Sequence, residues 1–266
     1  MKLSFIKASP SKNMTAFITN KVAKEDYVRV ANYLMTDEYV SAEQVGFLVE
    51  PNSQDAILRL EMSGGEFCGN GLLSAAAYCS YEQLTPETSF YLEISGVDHL
   101  LRCEVECRDD GSYVAKGEMP KDYILESLTI NFNGEEIVGT VVKLSGISHF
   151  ITDYTLNEES YDSLLDLILE KIDDKAVGII PYDQKGHNQF SMKPFVWVKE
   201  SGTKVFERSC GSGSYALALL MKEAKNLSTL HIEQPGGIVT TEIGEKNSIA
   251  TSVFFPCEGT ITILPT

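Results

Sequence analysis

No stretch of the 266-residue chain approaches the roughly 20 consecutive apolar residues that cross a bilayer as a helix. The opening Met1-Lys2-Leu3-Ser4-Phe5-Ile6-Lys7-Ala8-Ser9-Pro10 has too short an apolar core for a secretory signal and carries lysine within it. A cytoplasmic location is the expectation. Basic residues are also scarce. The 22 Lys and Arg stand against 38 Asp and Glu, a formal net charge of −16 that repels phosphate backbones and anionic lipid surfaces. Nucleic acid and membrane are therefore not expected as partners. What remains is a globular composition, 43% hydrophobic and 23% charged, in a chain long enough for one large domain or two small ones.

A metal-ligand pattern is missing as well. Cys103 and Cys107 form a Cys-x3-Cys pair with no second pair of matching spacing, and in a strand both serve as small apolar side chains. His99, His187 and His231 show no partner spacing either. No metal site is expected. Together with Cys68, Cys79, Cys210 and Cys257 the cysteines number six, yet the chain can build an ordinary core and shows no export signal, so all six are read as reduced thiols.

Hydrophobic periodicity predicts strands over 3–6, 15–18, 56–62, 90–94, 100–107 and 113–118, and again over 137–144, 177–180, 195–198, 229–232, 249–255 and 260–264. Helical spacing predicts helices over 23–34, 71–79, 161–172 and 214–225. Each half is thus rich in strands and has its most apolar helix directly after a glycine-rich turn. The first turn reads Glu66-Phe67-Cys68-Gly69-Asn70-Gly71 and the second Glu207-Arg208-Ser209-Cys210-Gly211-Ser212-Gly213, about half a chain length later. An internal repeat of two similar domains with a cleft between them is the expectation. Gly117-Glu118-Met119-Pro120-Lys121 interrupts the strand pattern and sets the boundary: an N-terminal domain over 1–118 and a C-terminal domain over 119–254, with the last strand, about 255–266, returning to the first domain.

A thiol at a helix N-terminus meets the positive end of the helix dipole and first-turn backbone amides, both of which favour thiolate. The glycines that follow, Gly69 and Gly71, then Gly211 and Gly213, remove bulk so that a carboxylate can rest on those amides. One such turn alone is more often a tight strand-to-helix connection with a small buried thiol. Two copies, each preceded by a glutamate and followed by an apolar helix, point instead to two bases on opposite faces of an α-amino acid. Cys68 and Cys210 are the expected catalytic pair: one takes the α-proton while the other returns a proton to the opposite face.

These residues resemble the diaminopimelate epimerase-like racemases, in which each of two domains presents a cysteine in a Cys-Gly-Asn-Gly or Cys-Gly-Ser-Gly turn. The resemblance extends to Lys12-Asn13-Met14-Thr15, Glu43-Gln44-Val45-Gly46-Phe47, Gly146-Ile147-Ser148-His149 and Gln234-Pro235-Gly236-Gly237. It implies that Asn13 and Gln44 line the substrate site and that His149 lies beside one catalytic thiol, although an imidazole satisfied by backbone is an equal reading of His149. The chain departs from the epimerase where distal-end asparagines are expected, at Ile147 and Ala176, and where a glutamate–arginine pair is expected well ahead of the second cysteine, since Glu207-Arg208 is almost adjacent to Cys210. Those departures are similar to the cofactor-independent histidine racemases, including those serving opine-type metallophore synthesis.

The resemblance implies an α+β fold of two pseudo-symmetric domains, each a curved, mostly antiparallel sheet around a central helix, and a homodimer. It implies an amino-acid substrate, histidine first, with no cofactor; no lysine stands in a pyridoxal phosphate context. Substrate contacts are expected from Asn13, Glu43, Gln44, Gly69, Asn70, His149, Glu207, Gly211 and Ser212. Glu43 would meet the substrate side chain and Glu207 its α-ammonium. The alternatives are a diaminopimelate epimerase, a proline-type racemase or dehydratase of the same fold, and a relative that binds a small amino acid without turning it over.

Overall fold

The computed structural model describes residues 1–199 and 202–263. The expected strand end at Leu264 lies outside them. In chain order the first strands are β1 (Lys2–Pro10), β2 (Thr15–Ile18), β3 (Gln44–Val49), β4 (Ala56–Met62), β5 (Ser89–Ile94), β6 (Leu101–Cys107) and β7 (Tyr113–Glu118). Then follow β8 (Ile124–Phe132), β9 (Glu135–Leu144), β10 (Ile147–Thr152), β11 (Ala176–Gln184), β12 (Gln189–Met192), β13 (Phe195–Val198) and β14 (Thr203–Phe206). The last are β15 (Thr229–Gln234), β16 (Gly237–Glu242) and β17 (Ser248–Thr262). Four α-helices interrupt them: α1 (Tyr27–Met35), α2 (Gly69–Tyr81), α3 (Tyr161–Leu169) and α4 (Gly211–Lys225). The fold is α+β, and it separates into two compact units, Met1–Met119 with the segment from Ala250 onward, and Pro120–Ile249.

In the first unit β1 pairs antiparallel with β2, β2 runs parallel to β3, β3 antiparallel to β4, and β4 parallel to β5. β5, β6 and β7 follow antiparallel. β17 pairs with both β7 and β1, so these strands close on themselves and leave no unpaired edge. Helix α2 packs against β1, β2, β4, β5, β6 and β7. Gly69 to Ala77 and Cys79 are all buried, the pattern of a helix surrounded by strands rather than lying on a surface. Its run of Ala and Ser keeps it slim enough to fit. Helix α1 instead buries one stripe, Tyr27, Val30, Ala31 and Leu34, whose i, i+3, i+4, i+7 spacing faces β3. Tyr27 stacks on Phe47 with ring centroids 3.6 Å apart.

In the second unit β8, β9 and β10 are antiparallel, β10 runs parallel to β11, and β11 is antiparallel to β12 along one part of its length and to β13 along another. β13 continues to β14, while β12 runs parallel to β15, which turns into β16. Helix α3 repeats the amphipathic spacing with Tyr161, Leu164, Leu165 and Ile168, closing a core with Ile137, Phe150, Val177 and Phe195. Helix α4 packs against β9, β10, β15 and β16 and is buried from Gly213 to Leu219. It ends on Asn226, whose left-handed φ of 54° stops the helix.

Several elements differ from the periodicity. The helix expected over 23–34 begins as a 3-10 turn at Lys24–Asp26, and the one expected over 161–172 stops at Leu169. The helices expected from Gly71 and Ser214 begin earlier, at Gly69 and Gly211, so that each cysteine is itself the N-cap. The two strands expected over 249–255 and 260–264 are one, β17. Between the register pairs Lys7 with Cys257 and Ser9 with Phe254, Phe255 and Pro256 together face Ala8. That bulge admits a proline, which has no N–H to give the ladder.

Candidate active site

The chemistry of both turns begins with the same local geometry. Cys68, with φ −133° and ψ 114°, caps α2, and its sulfur accepts the Gly71 N–H at 3.2 Å. Cys210, with φ −123° and ψ 106°, caps α4, and its sulfur accepts the Gly213 N–H at 3.3 Å. A thiol thus occupies the position where Ser, Thr or Asp ordinarily satisfies a first-turn amide. Gly69 and Asn70, like Gly211 and Ser212, are the first two residues of their helices, where backbone N–H groups have no acceptor within the helix and favour anions.

In the first unit Cys68 is half-buried and its thiol donates to Gln44 Oε1 at 2.8 Å. Gln44 opens β3, where Thr15 faces it in the parallel register with β2. Met14 O accepts the backbone N–H of both Glu43, at 2.7 Å, and Gln44, at 3.2 Å, which fixes the start of that strand. Asn13, fully buried, donates from Nδ2 to Glu43 Oε2 at 3.1 Å. It follows Ser11 and Lys12, both at positive φ, in a turn tied to β17 by Ser11 N to Ser252 O. The fold therefore gathers Asn13, Glu43, Gln44, Cys68, Gly69 and Asn70 onto adjoining segments of one unit.

In the second unit Cys210 is buried, with its backbone N–H donating to Gln234 Oε1 at 2.7 Å. Burial pushes its thiol well above the usual range, and the Glu207 carboxylate, which accepts a hydrogen bond from it, pushes the same way; Ser212 and the Gly213 N–H work against them. Ser212 Oγ lies 3.6 Å from the sulfur and 2.9 Å from His149 Nε2. His149 is fully buried on β10, and burial alone pulls its imidazole down to about 3, so it is neutral at physiological pH. It reaches the cysteine turn through Ser212. Glu207, His149, Cys210, Gly211 and Ser212 therefore form the second group.

Other residues shape these turns that the sequence reading gave no role, Gln234 among them although its Gln-Pro-Gly-Gly segment was part of the resemblance. Gln234 donates from Nε2 to Ser214 Oγ at 2.8 Å, and Ser214 Oγ donates to Cys210 O at 2.7 Å, so one amide and one hydroxyl hold the peptide groups around the second thiol. Ser95 Oγ donates to Glu66 O at 2.8 Å. Beside it Gly96, at φ +79°, packs so closely under the first turn that a Cβ would lie 2.4 Å from Phe67 N. Among the described residues no group of three or more His, Cys, Asp or Glu side chains is placed to hold a metal, and no helix is long and apolar enough to cross a membrane.

The fold is shared with solved structures. A hydroxyproline epimerase from Agrobacterium vitis, bound to trans-4-hydroxy-L-proline, matches with a TM-score of 0.74 at 12% identity, over 98% of this chain and 92% of that one. A PhzF-family phenazine biosynthesis protein from Bacillus anthracis matches with a TM-score of 0.66 at 13% identity, over 99% of this chain and 100% of that one. The architecture is thus the one seen in these two structures. In sequence, the family described as "Histidine racemase CntK N-terminal domain" matches residues 2–263. A histidine racemase from Fusobacterium nucleatum is 35% identical over 245 residues, covering 88% of this chain and 87% of its own. One from Staphylococcus aureus is 26% identical over 273 aligned positions, covering 99% and 96%. The chain belongs to the histidine racemase family. As a member it is an isomerase, an amino-acid racemase of the cofactor-independent kind.

Proposed function

We propose that the protein interconverts L- and D-histidine by a two-base reaction in which Cys68 and Cys210 are the catalytic residues. The observation that carries this reading is the pair of N-capping thiols, each set among first-turn amides at the head of a buried helix, in a chain 35% identical to a histidine racemase. One cysteine, as thiolate, takes the α-hydrogen as a proton and becomes a thiol. The electron pair left on Cα is delocalised into the carboxylate, where first-turn amides stabilise the growing charge. The other thiol gives its proton to the opposite face and becomes thiolate. Product therefore leaves an enzyme whose two cysteines have exchanged protonation states.

The same reading assigns the neighbours. Gly69, Asn70, Gly211 and Ser212 present the amides that receive the carboxylate. Glu207 meets the α-ammonium, and that pairing removes the negative charge that otherwise opposes ionisation of Cys210. Glu43, held by Asn13, meets the imidazole of the substrate, and Gln44 serves Cys68. The two units are read as pseudo-symmetric halves of diaminopimelate epimerase type, the active species as a homodimer, and the location as the cytoplasm, where reducing conditions keep the thiols free.

The test is incubation with L-histidine in D2O, following deuterium at Cα and the chirality of the product. Wild-type protein should exchange and racemise; Cys68→Ser and Cys210→Ser should each lose racemisation by at least about a thousandfold. Exchange and inversion of diaminopimelate or proline without histidine would overturn the substrate, and full activity in either serine variant would overturn the two-thiol chemistry.

A further inference from the structure

The group behind Cys210 has a built-in direction. His149 and Gly178 face each other across the parallel β10–β11 register, and the ring edge lies so tightly on the glycine that a Cβ there would come within 2.2 Å of Nδ1. Among the described residues Nδ1 has no hydrogen-bond partner, whereas Nε2 lies 2.9 Å from Ser212 Oγ. A neutral imidazole carries one N–H. Placed on Nδ1 it would be a buried donor facing backbone with nothing to receive it, a rarer and costlier state than an unpartnered lone pair. Placed on Nε2 it donates to Ser212.

A serine hydroxyl has one proton. Once Ser212 Oγ accepts from Nε2–H, that proton is released from the imidazole and is available to the Cys210 sulfur at 3.6 Å. The opposite arrangement, with Ser212 donating to the imidazole, would leave sulfur facing an oxygen lone pair and favour the thiol. We propose that His149 is a positioning residue: as the Nε2–H tautomer it fixes the Ser212 hydroxyl as a donor to Cys210, so that the relay from His149 through Ser212 supports the thiolate against the opposing Glu207 carboxylate. His149 does not itself exchange a proton in the cycle. Among the described residues Glu207 is the charged group facing the sulfur, and Ser212 and the Gly213 N–H are the donors.

The inference rests on the two-thiol reading for its catalytic consequence but not for its physical content, and the experiment separates the two. The pH dependence of iodoacetamide alkylation is followed by mass spectrometry at Cys210, with Cys68 as an internal reference, in wild type, Ser212→Ala, Ser212→Thr, His149→Leu and His149→Gln. Removing the hydroxyl or the ring donor should move the Cys210 profile alkaline by roughly one pH unit or more. Ser212→Thr keeps the hydroxyl and His149→Gln keeps an N–H near the Nε2 position, so both should restore it; Cys68 should not move. In racemisation, Ser212→Ala and His149→Leu should lower kcat/KM about tenfold or more. The loss must be equal from L and from D, because enantiomers have equal free energy. An unshifted or acid-shifted Cys210 profile in Ser212→Ala or His149→Leu overturns the relay. A shifted profile in a protein that racemises nothing upholds the relay and overturns only the functional reading.

Discussion

In the proposed two-thiol cycle Cys68 alternates between S–H and S⁻ and needs a neighbour able to serve both forms, and the residue beside it has that property. The Gln44 carbonyl accepts from the thiol at 2.8 Å, and half a turn of the same amide would present its NH2 group to a thiolate. A leucine can do neither and a carboxylate can only accept. Gln44→Leu is therefore expected to lower kcat by about tenfold, the worth of one hydrogen bond to a charged partner, with a smaller change in KM. Gln44→Glu should add an alkaline shift of the pH–rate profile, because the new charge disfavours thiolate. Steady-state racemisation between pH 6 and 10 measures both, and a glutamate variant with an unmoved profile would remove Gln44 from the account.

Elements set these side chains by close backbone approaches, of which the one between the end of β5 and the first cysteine turn is the tightest to test. An alanine at Gly96 must adopt φ +79° and also push its Cβ against Phe67 N, one residue before the thiol. Gly111, at φ +80° with nothing within 4 Å, isolates the first of these effects. Gly111→Ala should cost about 1 kcal/mol in urea unfolding, and Gly96→Ala clearly more, with a loss of kcat that Gly111→Ala does not share. If the two variants unfold and turn over alike, the contact does not hold the turn. Such contacts also mark what the sequence could reveal about the fold. The two cysteine turns were legible because an N-cap, glycines and an apolar run stand next to one another in the chain. The Asn133-Gly134 turn between β8 and β9, at φ 53° and 85°, was an equally local hairpin signal, yet β8 was not predicted from it. β3 is buried through its centre without alternation, and β12 and β14, four residues each, are too short to show a period. Within the candidate site, Asn13, Gln44 and His149 entered through resemblance. The placing of Gly178 under His149 depends on the register of two strands and could not be read from spacing.

For the whole molecule, the neutral buried imidazole makes stability depend on pH. The unfolded chain protonates His149 near pH 6.5, while the folded protein does not until about 3. Above 6.5 both states bind no proton there and the effect is absent. Between 6.5 and 3 the unfolded state binds more protons, so stability falls as pH falls, by up to about 1.4 kcal/mol for each pH unit. Glu61 and Glu93 act lower on the scale. Burial works to raise them, but hydrogen bonds, from Lys24, Arg59 and Tyr27 to Glu61 and from Arg59 and the Asn52 and Ser53 amides to Glu93, hold both below the usual 4.5. Their contribution is complete above 4.5 and is lost only as pH drops below it. The net charge of −16 relaxes on acidification and acts in the opposite sense, but it cancels when two variants are compared. His149→Gln should accordingly lose about 2 kcal/mol less than wild type in urea-unfolding free energy between pH 7 and pH 5, whatever its stability at pH 7. Parallel pH profiles for the two proteins would mean that the imidazole takes its proton in the fold as readily as out of it, and the neutral relay behind Cys210 would fall with it.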